Sequence, residues 1–261
     1  MKENIKFEFT IEKSDISSVC VSSFSHSGAR TYQEDSFGYN GPFKAGYGGN
    51  AFCAVLSDGM GGLSNGDKVS SYAVSSYIKR LCALKTDNAV HKEFIRITNE
   101  VNNRVVSGGY GGGATVVALY CCHRGIFFCS TGDSRLYLFR GNALTQLTED
   151  FDVLNRELGK VIDGIVTYTQ ADTHEERDNL TEFIGAGITL SPDVNIKPLI
   201  PQKGDRLLIC SDGVYNALSE EELIYCLSAD AATAAMGMES AIIEKARPIQ
   251  DNATAIVLEF R

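Results

Sequence analysis

The chain has 261 residues, of which 33 are acidic and 24 are basic, so its formal net charge is −9. That length fits one large domain or two small ones, and we interpret residues 1–261 as a single domain. The acidic balance argues against nucleic acid and anionic membranes as partners, because both bind basic surfaces. The sequence has no apolar run long enough for a transmembrane helix, and its first twelve residues lack the apolar core of a signal peptide.

Apolar runs and alternating patterns predict strands along the whole chain. The first predicted strand, Ile5–Glu12, alternates apolar and polar residues, and we interpret residues 1–16 as an additional N-terminal edge strand. Further strands are predicted at Ser18–Phe24, Ala51–Ser57, Thr115–Cys121, Ile126–Ser130, Leu136–Arg140, Arg206–Cys210 and Ala255–Phe260. The short connections Cys122–Gly125 and Gly141–Asn142 suit antiparallel hairpins.

Four helices are predicted along the chain. Apolar residues recur every three or four positions between Val69 and Leu84 and between Val90 and Val105. A capping box at Ser219-Glu220-Glu221-Glu222 predicts a third helix through Leu227, and a fourth is predicted at Ala231–Lys245. Strands and helices are thus grouped rather than alternating, which favours an antiparallel α+β fold.

Two segments between these elements are predicted to be irregular. Gly108–Gly113 is a weak candidate for a phosphate cradle, because no Lys-Ser/Thr pair follows it, and we interpret it as a helix-to-strand connector. Residues 148–180 are polar and acidic, and we interpret them as a surface excursion that forms a flap over a site.

Five aspartates stand beside a Gly, an Asn or another acid, and most of them adjoin a predicted strand. They are Asp35, Asp58, Asp133, Asp212 and Asp251. A single Asp-Gly pair is more often a plain turn than a site. Strand ends can bring several carboxylates together, however, and converging carboxylates repel unless cations lie between them. The pattern therefore predicts a site for hard metal ions with oxygen ligands.

A two-metal site of this kind could activate water and clamp a phosphoryl group during in-line displacement. The acidic pair Glu34-Asp35 follows Arg30 closely. The planar guanidinium of Arg30 would match phosphate oxygens, although an exposed or ion-paired arginine is the more common role for such a residue.

Eight cysteines and four histidines give no sign of a soft-metal site. The cysteines form no Cys-x-x-Cys pair, and the histidines show no ligand spacing with them. Most of the cysteines lie in apolar runs, so we interpret them as buried thiols of a protein in a reducing cytoplasm.

Taken together, six short motifs resemble the metal-dependent protein phosphatases of the protein phosphatase 2C family. In chain order they are Arg30-Thr-Tyr-Gln-Glu34-Asp35, Asp58-Gly-Met-Gly-Gly62, Gly113-Ala-Thr115, Gly132-Asp133-Ser-Arg135, Ser211-Asp212-Gly213 and Asp251-Asn252-Ala-Thr254. Their order and rough spacing agree with the family from about Ser17 to Phe260. Met60 resembles the bacterial branch, because the animal enzymes often carry His at this position.

The resemblance implies a four-layer α-β-β-α sandwich, in which helices flank two antiparallel sheets. It also implies hydrolysis of phosphoserine and phosphothreonine by a water that two Mn²⁺ or Mg²⁺ ions activate, without a phosphoenzyme intermediate. By motif, Asp58 would bridge the two ions and Gly59 would bind through its carbonyl. Asp212 and Asp251 would complete the protein ligands of the second ion.

Other positions receive supporting roles from the same resemblance. Glu34 and Asp35 would lie in the first or outer shell of the second ion, and Asn252 would support the site. Arg30 would hold the substrate phosphate. Asp133, together with Asp212, would bind a third and weaker metal ion.

The implied partners are phosphoproteins made by a Ser/Thr protein kinase, and we expect a monomer. One alternative is an inactive phosphoprotein-binding domain of the same fold, although none of the expected metal ligands is missing from the sequence. Another is a two-metal nuclease or phosphodiesterase, against which the acidic chain and the lack of basic tracks count.

Overall fold

Eleven strands are present in the described part of the chain, which comprises residues 5–45, 49–60 and 65–261 of a computed structural model. They are β1 (Ile5–Glu8), β2 (Ser18–His26), β3 (Ser36–Lys44), β4 (Asn50–Ser57), β5 (Val116–Cys122), β6 (Gly125–Thr131), β7 (Arg135–Arg140), β8 (Ala143–Gln146), β9 (Asp193–Val194), β10 (Arg206–Cys210) and β11 (Ala253–Phe260). Gly61 and Gly62 of the second motif lie outside the described residues, as do residues 1–4 of the predicted N-terminal segment.

The strands form two antiparallel sheets. One has six strands in the order β1-β2-β11-β10-β7-β8, and the other has five in the order β3-β4-β5-β6-β9. The last strand, β11, lies between β2 and β10, so the two ends of the chain meet within one sheet. The predicted hairpins β5–β6 and β7–β8 are both present.

Helices cover the outer faces of both sheets. They are α1 (Gly66–Cys82), α2 (Val90–Ser107), α3 (Val153–Ile162), α4 (Tyr168–Asp172), α5 (Asp212–Tyr215), α6 (Glu220–Leu227) and α7 (Ala231–Lys245). The predicted capping box is present at α6, where the Ser219 hydroxyl accepts from the Glu222 amide and the Glu222 carboxylate accepts from the Ser219 amide.

Three apolar clusters hold the layers together. One lies between the two sheets, where Phe52, Leu119 and Ile209 are buried. A second packs the five-stranded sheet against α1 and α2, and a third packs the six-stranded sheet against α6 and α7. The predicted α+β class and its four-layer α-β-β-α arrangement are therefore confirmed.

The structure differs from the sequence prediction in several places, including the short elements β9 and α5, which were not predicted. The N-terminal strand ends at Glu8 rather than Glu12, because the chain turns at residues 11–14, where Lys13 has a φ of 62° and the Ser14 amide donates to the Ile11 carbonyl at 3.3 Å. Strand β3 was not predicted, since glycines and polar residues interrupt its pattern. The region 148–180, which we predicted to be irregular, contains α3 and α4.

Cysteine burial agrees with the prediction. None of the eight cysteines forms a disulfide; seven are buried, and Cys82 is partly exposed. Across the described residues, no helix combines the length and the apolar character that crossing a bilayer requires.

Candidate metal centre

The five aspartates of the motifs lie at the same end of both sheets. Asp58 directly follows β4, and Asp35 directly precedes β3, whose first residue pairs with the last residue of β4. Asp212 follows β10 and Asp251 precedes β11, and these two strands are antiparallel neighbours. Asp133 lies in the turn between β6 and β7. The topology thus gathers carboxylates that are far apart in sequence.

A cleft of about 150 Å³ opens at this end of the molecule. Its lining consists of Arg30, Glu34, Asp58, Gly59, Met60, Thr115, Asp133, Leu180, Asp212 and Asp251. Most of the residues that the sequence singled out therefore share one cleft. Leu180 comes from the end of the predicted flap, so that segment borders the cleft; its mobility stays a prediction.

Asp58 is held by the Gly-Ala-Thr motif. Its amide donates to the Thr115 hydroxyl at 3.0 Å, and the Thr115 amide donates to the Asp58 carbonyl at 2.8 Å. The Thr115 hydroxyl also bonds the Ser134 hydroxyl at 2.7 Å. Thr115 and Ser134 are positioning residues that we did not single out from the sequence, although both stand inside motifs that we recognised.

Gly59 lies where three chain segments approach one another. Its amide donates to the Glu34 carbonyl at 3.2 Å. A side chain at position 59 would come within 2.5 Å of the Gly66 carbonyl oxygen and 2.7 Å of the Glu34 carbonyl oxygen. Only glycine fits this approach without displacing the backbone, which explains the glycine that follows Asp58.

Asp35 is buried behind the cleft. Its Oδ2 accepts from the Ser211 hydroxyl at 2.8 Å, whereas no described residue donates a hydrogen bond to its Oδ1. Burial raises the pKa of Asp35, and hydroxyl donors only partly oppose that effect. A buried carboxylate oxygen without a donor is unfavourable unless a cation or another donor is supplied.

Glu34 is partly buried at the edge of the same cleft. Burial raises its pKa, and the nearby charge of Asp67 raises it further, whereas Arg30 lowers it. The structure therefore places Glu34 and Asp35 differently, because only Glu34 lines the cleft directly.

Asp212 and Asp251 approach each other because Gly213 packs on the backbone beside Asp251. A side chain at position 213 would overlap the Asn252 carbonyl oxygen. The Gln250 side chain also donates to the Gly213 carbonyl at 2.9 Å. The two segments are thus fixed against each other by close backbone contact.

Asn252 ties the Asp251 segment to the loop that carries Arg30 and Glu34. Its side-chain oxygen accepts from the Glu34 amide at 2.8 Å. Its side-chain nitrogen donates to the carbonyls of Ser27 and Tyr32 at 2.9 and 3.0 Å. The structure thus places Asn252 behind the cleft, outside the set of residues that line it.

Arg30 lies at the rim of the cleft, with about half of its side chain exposed. Its Nη2 donates to Asp251 Oδ2 at 2.7 Å. A guanidinium has five N–H donors, so this bond leaves donors that an anionic ligand in the cleft could use.

Asp133 lies at the side of the cleft that faces the predicted flap. Its carbonyl accepts from the Tyr215 hydroxyl at 3.0 Å. The guanidinium of Arg135 stacks 3.7 Å from the centre of the Tyr215 ring and pairs with Asp150 at 2.5 Å. Arg135 therefore connects the Asp133 turn to the start of the segment 148–180.

The carboxyls of the cleft have strongly perturbed acidities. Burial raises the pKa of Asp58 well above its usual range, and Asp35 and Asp212 raise it further. Burial and the charge of Asp133 raise the pKa of Asp212 to about 7. Burial and the charge of Asp150 raise the pKa of Asp133 to about 6. These carboxyls cannot all be ionised at neutral pH unless positive charge lies among them.

Divalent cations fit this donor set. The candidate ligands are carboxylate and carbonyl oxygens, which are the ligands that Mg²⁺ and Mn²⁺ prefer. The buried Oδ1 of Asp35 has no donor among the described residues, and burial together with neighbouring carboxylates disfavours the ionised forms of Asp58 and Asp212. Cations in the cleft would relieve both penalties.

Comparison with known proteins identifies the family. Residues 24–238 match the family model described as protein phosphatase 2C. The chain belongs to the protein phosphatase 2C family. The predicted family and enzyme class, a protein phosphatase, are therefore confirmed. The family is metal-dependent, which agrees with the oxygen ligands in the cleft.

Two relatives illustrate the similarity in sequence. The chain is 32% identical over 178 residues to the serine/threonine phosphatase stp of Listeria welshimeri. The aligned region covers 65% of this chain and 69% of that protein. It is 31% identical over 183 residues to the protein phosphatase PhpP of Streptococcus pneumoniae. The aligned region covers 67% of this chain and 72% of that protein. Both relatives are bacterial, as the resemblance implied.

Solved structures agree with the fold. The serine/threonine phosphatase of S. agalactiae superposes with a TM-score of 0.79 at 24% identity, covering 93% of this chain and 100% of that chain. Stp1 from Staphylococcus aureus superposes with a TM-score of 0.77 at 24% identity, covering 99% of both chains.

Proposed function

We propose that this chain hydrolyses phosphoserine and phosphothreonine residues in proteins. The observation that carries the proposal is the convergence of Asp58, Asp133, Asp212 and Asp251 in one cleft with Arg30 at its rim. Membership of the protein phosphatase 2C family and similarity to relatives named as serine/threonine phosphatases support it.

Two Mn²⁺ or Mg²⁺ ions would be held by Asp58, the Gly59 carbonyl, Asp212 and Asp251. Asp133 and Asp212 would share a third, weaker ion. When bound, such ions supply a nucleophilic water at neutral pH and positive charge for the phosphoryl oxygens. Glu34 would contribute at the cleft edge and Asp35 from behind it.

Arg30 would bind and orient the substrate phosphate. Its guanidinium matches two phosphate oxygens at once, and its bond to Asp251 fixes it next to the carboxylate cluster. Met60 lines the cleft, and a thioether cannot donate a proton to a leaving alkoxide. The side chain at position 60 would therefore shape the cleft rather than act as an acid.

We also propose that hydrolysis is direct, without a phosphoenzyme. Among the described residues that line the cleft there is no Cys or His. The hydroxyl of Thr115 is engaged by the Asp58 amide and Ser134. Rapid acid quenching during turnover of a ³²P-labelled substrate tests this step; protein-bound label would contradict it.

The decisive experiment compares a phosphothreonine peptide, p-nitrophenyl phosphate and a dinucleotide diester, each with Mn²⁺ or Mg²⁺. We expect hydrolysis of both monoesters, loss of that activity in EDTA, and little cleavage of the diester. Preferential diester cleavage would instead show a phosphodiesterase. Folded protein that binds the phosphopeptide without turnover would show the inactive alternative.

The biological setting stays a prediction. We expect the substrates to be products of a Ser/Thr protein kinase, and we expect a monomer in a reducing cytoplasm. Phosphoproteome comparison of cells with and without the gene tests the first expectation, and light scattering of the purified chain tests the oligomeric state.

A further inference from the structure

Three potential metal ligands meet at the opposite end of the five-stranded sheet from the carboxylate cleft. Asp87 lies in the loop between α1 and α2, Cys122 is the last residue of β5, and His123 follows it in the hairpin. Their ligand atoms all lie within 4.8 Å of one another. We propose that Asp87, Cys122 and His123 form a separate metal site that binds one Zn²⁺ ion.

The distances between the donor atoms suit a tetrahedral zinc ion. Zn–N and Zn–O bonds of about 2.0–2.2 Å and Zn–S bonds of about 2.3 Å place ligand atoms roughly 3.4–3.6 Å apart. His123 Nδ1 lies 3.3 Å from Asp87 Oδ2, and Cys122 Sγ lies 3.9 Å from the same oxygen. Small side-chain rotations would therefore complete the site, with water as the fourth ligand.

The donor set also suits zinc rather than the ions of the main cleft. A thiolate and an imidazole are ligands of borderline-soft metals, whereas Mg²⁺ and Mn²⁺ prefer oxygen. Binding would release the thiol proton of Cys122 to solvent. The thiolate and the Asp87 carboxylate would then neutralise the two charges of Zn²⁺.

The second nitrogen of His123 faces a further carboxylate. Its Nε2 lies 3.7 Å from Glu12 Oε1, and the Glu12 amide donates to the His123 carbonyl at 2.6 Å. Zinc-bound histidines usually donate their other N–H to a carboxylate, which fixes the ring and its tautomer. Glu12 is therefore a positioning residue for the proposed ligand His123.

The α1–α2 loop, which carries Asp87, is anchored to the β5–β6 hairpin, because Arg124 Nη1 donates to the Asp87 carbonyl at 2.6 Å. That bond uses the backbone of Asp87 and leaves its carboxylate to face Cys122 and His123. The bound ion would join the segment after β1, the α1–α2 loop and the β5–β6 hairpin. We therefore expect zinc to raise the melting temperature of the chain.

Strand β5 separates the two sites. It runs from Val116, next to the carboxylate cleft, to Cys122, and seven residues of strand span roughly 20 Å. Metal binding at one end can therefore be measured independently of activity at the other.

The test uses cobalt as a spectroscopic probe of thiolate ligation. The reduced 261-residue chain is saturated with Mg²⁺, to occupy the oxygen sites, and is then titrated with Co²⁺. We expect one equivalent per chain to give the near-ultraviolet charge-transfer band of a sulfur–cobalt bond, and Zn²⁺ to remove it. The absence of this band at saturating Co²⁺ would overturn the proposal.

Variants assign the ligands. Cys122→Ser should abolish the band, and His123→Asn should weaken Co²⁺ affinity at least tenfold. Glu12→Gln should weaken it about tenfold, as loss of an outer-shell partner does. Cys121→Ser is the matched control, because this neighbouring cysteine packs between the two sheets and should leave the band unchanged.

The assignment of the zinc ligands does not depend on the Cys122→Ser variant alone. If Cys122→Ser does not fold, His123→Asn decides, because 41% of the His123 side chain is exposed and we expect this variant to fold. A band that survives in either ligand variant with unchanged affinity would overturn the site. Phosphatase activity in Mg²⁺ should be unaffected by His123→Asn.

Discussion

Replacement of Asn252 by alanine should damage both stability and turnover. The side chain is buried and makes three hydrogen bonds, one from the Glu34 amide and two to the carbonyls of Ser27 and Tyr32. These bonds hold the loop of Arg30 against the strand end that carries Asp251. Their loss frees two candidate site residues at once.

The size of the effect follows from the number of bonds. Each intramolecular hydrogen bond contributes about 1 kcal/mol, and a donor left unsatisfied adds to the cost. We therefore expect Asn252→Ala to lower the free energy of unfolding by about 3 kcal/mol, which for a chain of this size lowers Tm by roughly 6–12 °C. Misplacement of reacting groups by 1 Å can cost about a hundredfold in rate, so we expect kcat to fall ten- to a hundredfold.

Asn195 offers a matched control. Its side chain accepts from the Phe128 amide and donates to the carbonyls of Ile126 and Lys197. It thus makes the same kinds of bond at the end of β6 that lies away from the cleft. Asn195→Ala should lower Tm comparably but leave kcat near that of the wild type.

Thermal melting and p-nitrophenyl phosphate turnover, measured at a temperature where both variants are folded, check the reasoning. Equal kcat values for the two variants would refute the positioning role of Asn252. A change in Tm of less than about 2 °C in Asn252→Ala would refute the hydrogen-bond estimate.

The remaining predictions concern a proposed ligand, a backbone contact, a thiol and the acidity of the cleft. Asp58→Asn should lower kcat about a thousandfold, because the proposed ions lose their shared ligand. Gly213→Ala should cost about 3 kcal/mol or more of stability in denaturant melts, because its Cβ would overlap the Asn252 carbonyl oxygen. Cys82 should be the first cysteine alkylated by iodoacetamide near neutral pH, detected by mass spectrometry, because the Cys53 thiol lowers its pKa to about 7. Protein in EDTA should lose Tm as pH rises from 3.8 to about 7, because folded Asp212 retains a proton that the unfolded chain has released; Mn²⁺ should suppress this loss.

Each of these outcomes has a control and a contrary result. Asp178→Asn, at a carboxylate whose side chain is 90% exposed, should retain full activity, and equal loss in both aspartate variants would count against Asp58. Gly237→Ala, whose Cβ would meet only Cys226 at ordinary distance, should not destabilise. Alkylation that persists undiminished in Cys82→Ser would refute the thiol assignment. A Tm that rises with pH in EDTA would show that the carboxyl pKa values are not raised.

The sequence was sufficient for elements whose signals are local. The capping box at Ser219 placed the start of α6, and the fourth predicted helix, Ala231–Lys245, has the same bounds as α7. Strand β3 was missed because Gly38 and Gly41-Pro42 interrupt its alternating pattern. It forms a strand because it pairs with β4, which a local pattern does not reveal. The helices in 148–180 were missed because that segment is mostly polar.

The site was predictable as a set of positions but not as an arrangement. Four of the five aspartates lie beside strand ends that the sequence predicts; the exception is Asp35, which precedes the unpredicted strand β3. The bonds that orient them join residues far apart in sequence, such as Asn252 with Glu34 and Ser211 with Asp35. No local pattern encodes such pairs. Thr115 was visible only as part of a motif, and its hydrogen bonds to Asp58 became apparent in the fold.

The two proposed metal sites differ in how the protein balances charge. The cleft gathers several carboxylates around one arginine, and burial together with their mutual repulsion raises the pKa values of Asp58 and Asp212, so bound cations would favour the ionised forms. The group at Asp87 holds one carboxylate, one thiol and one imidazole, and it becomes neutral with a single Zn²⁺ once the thiol is deprotonated. The linear spacing of cysteines and histidines gave no sign of this group, because its third ligand comes from a different loop. Removal of Mg²⁺ and of Zn²⁺ should therefore have separable effects, on turnover and on the stability of the far end of the sheet.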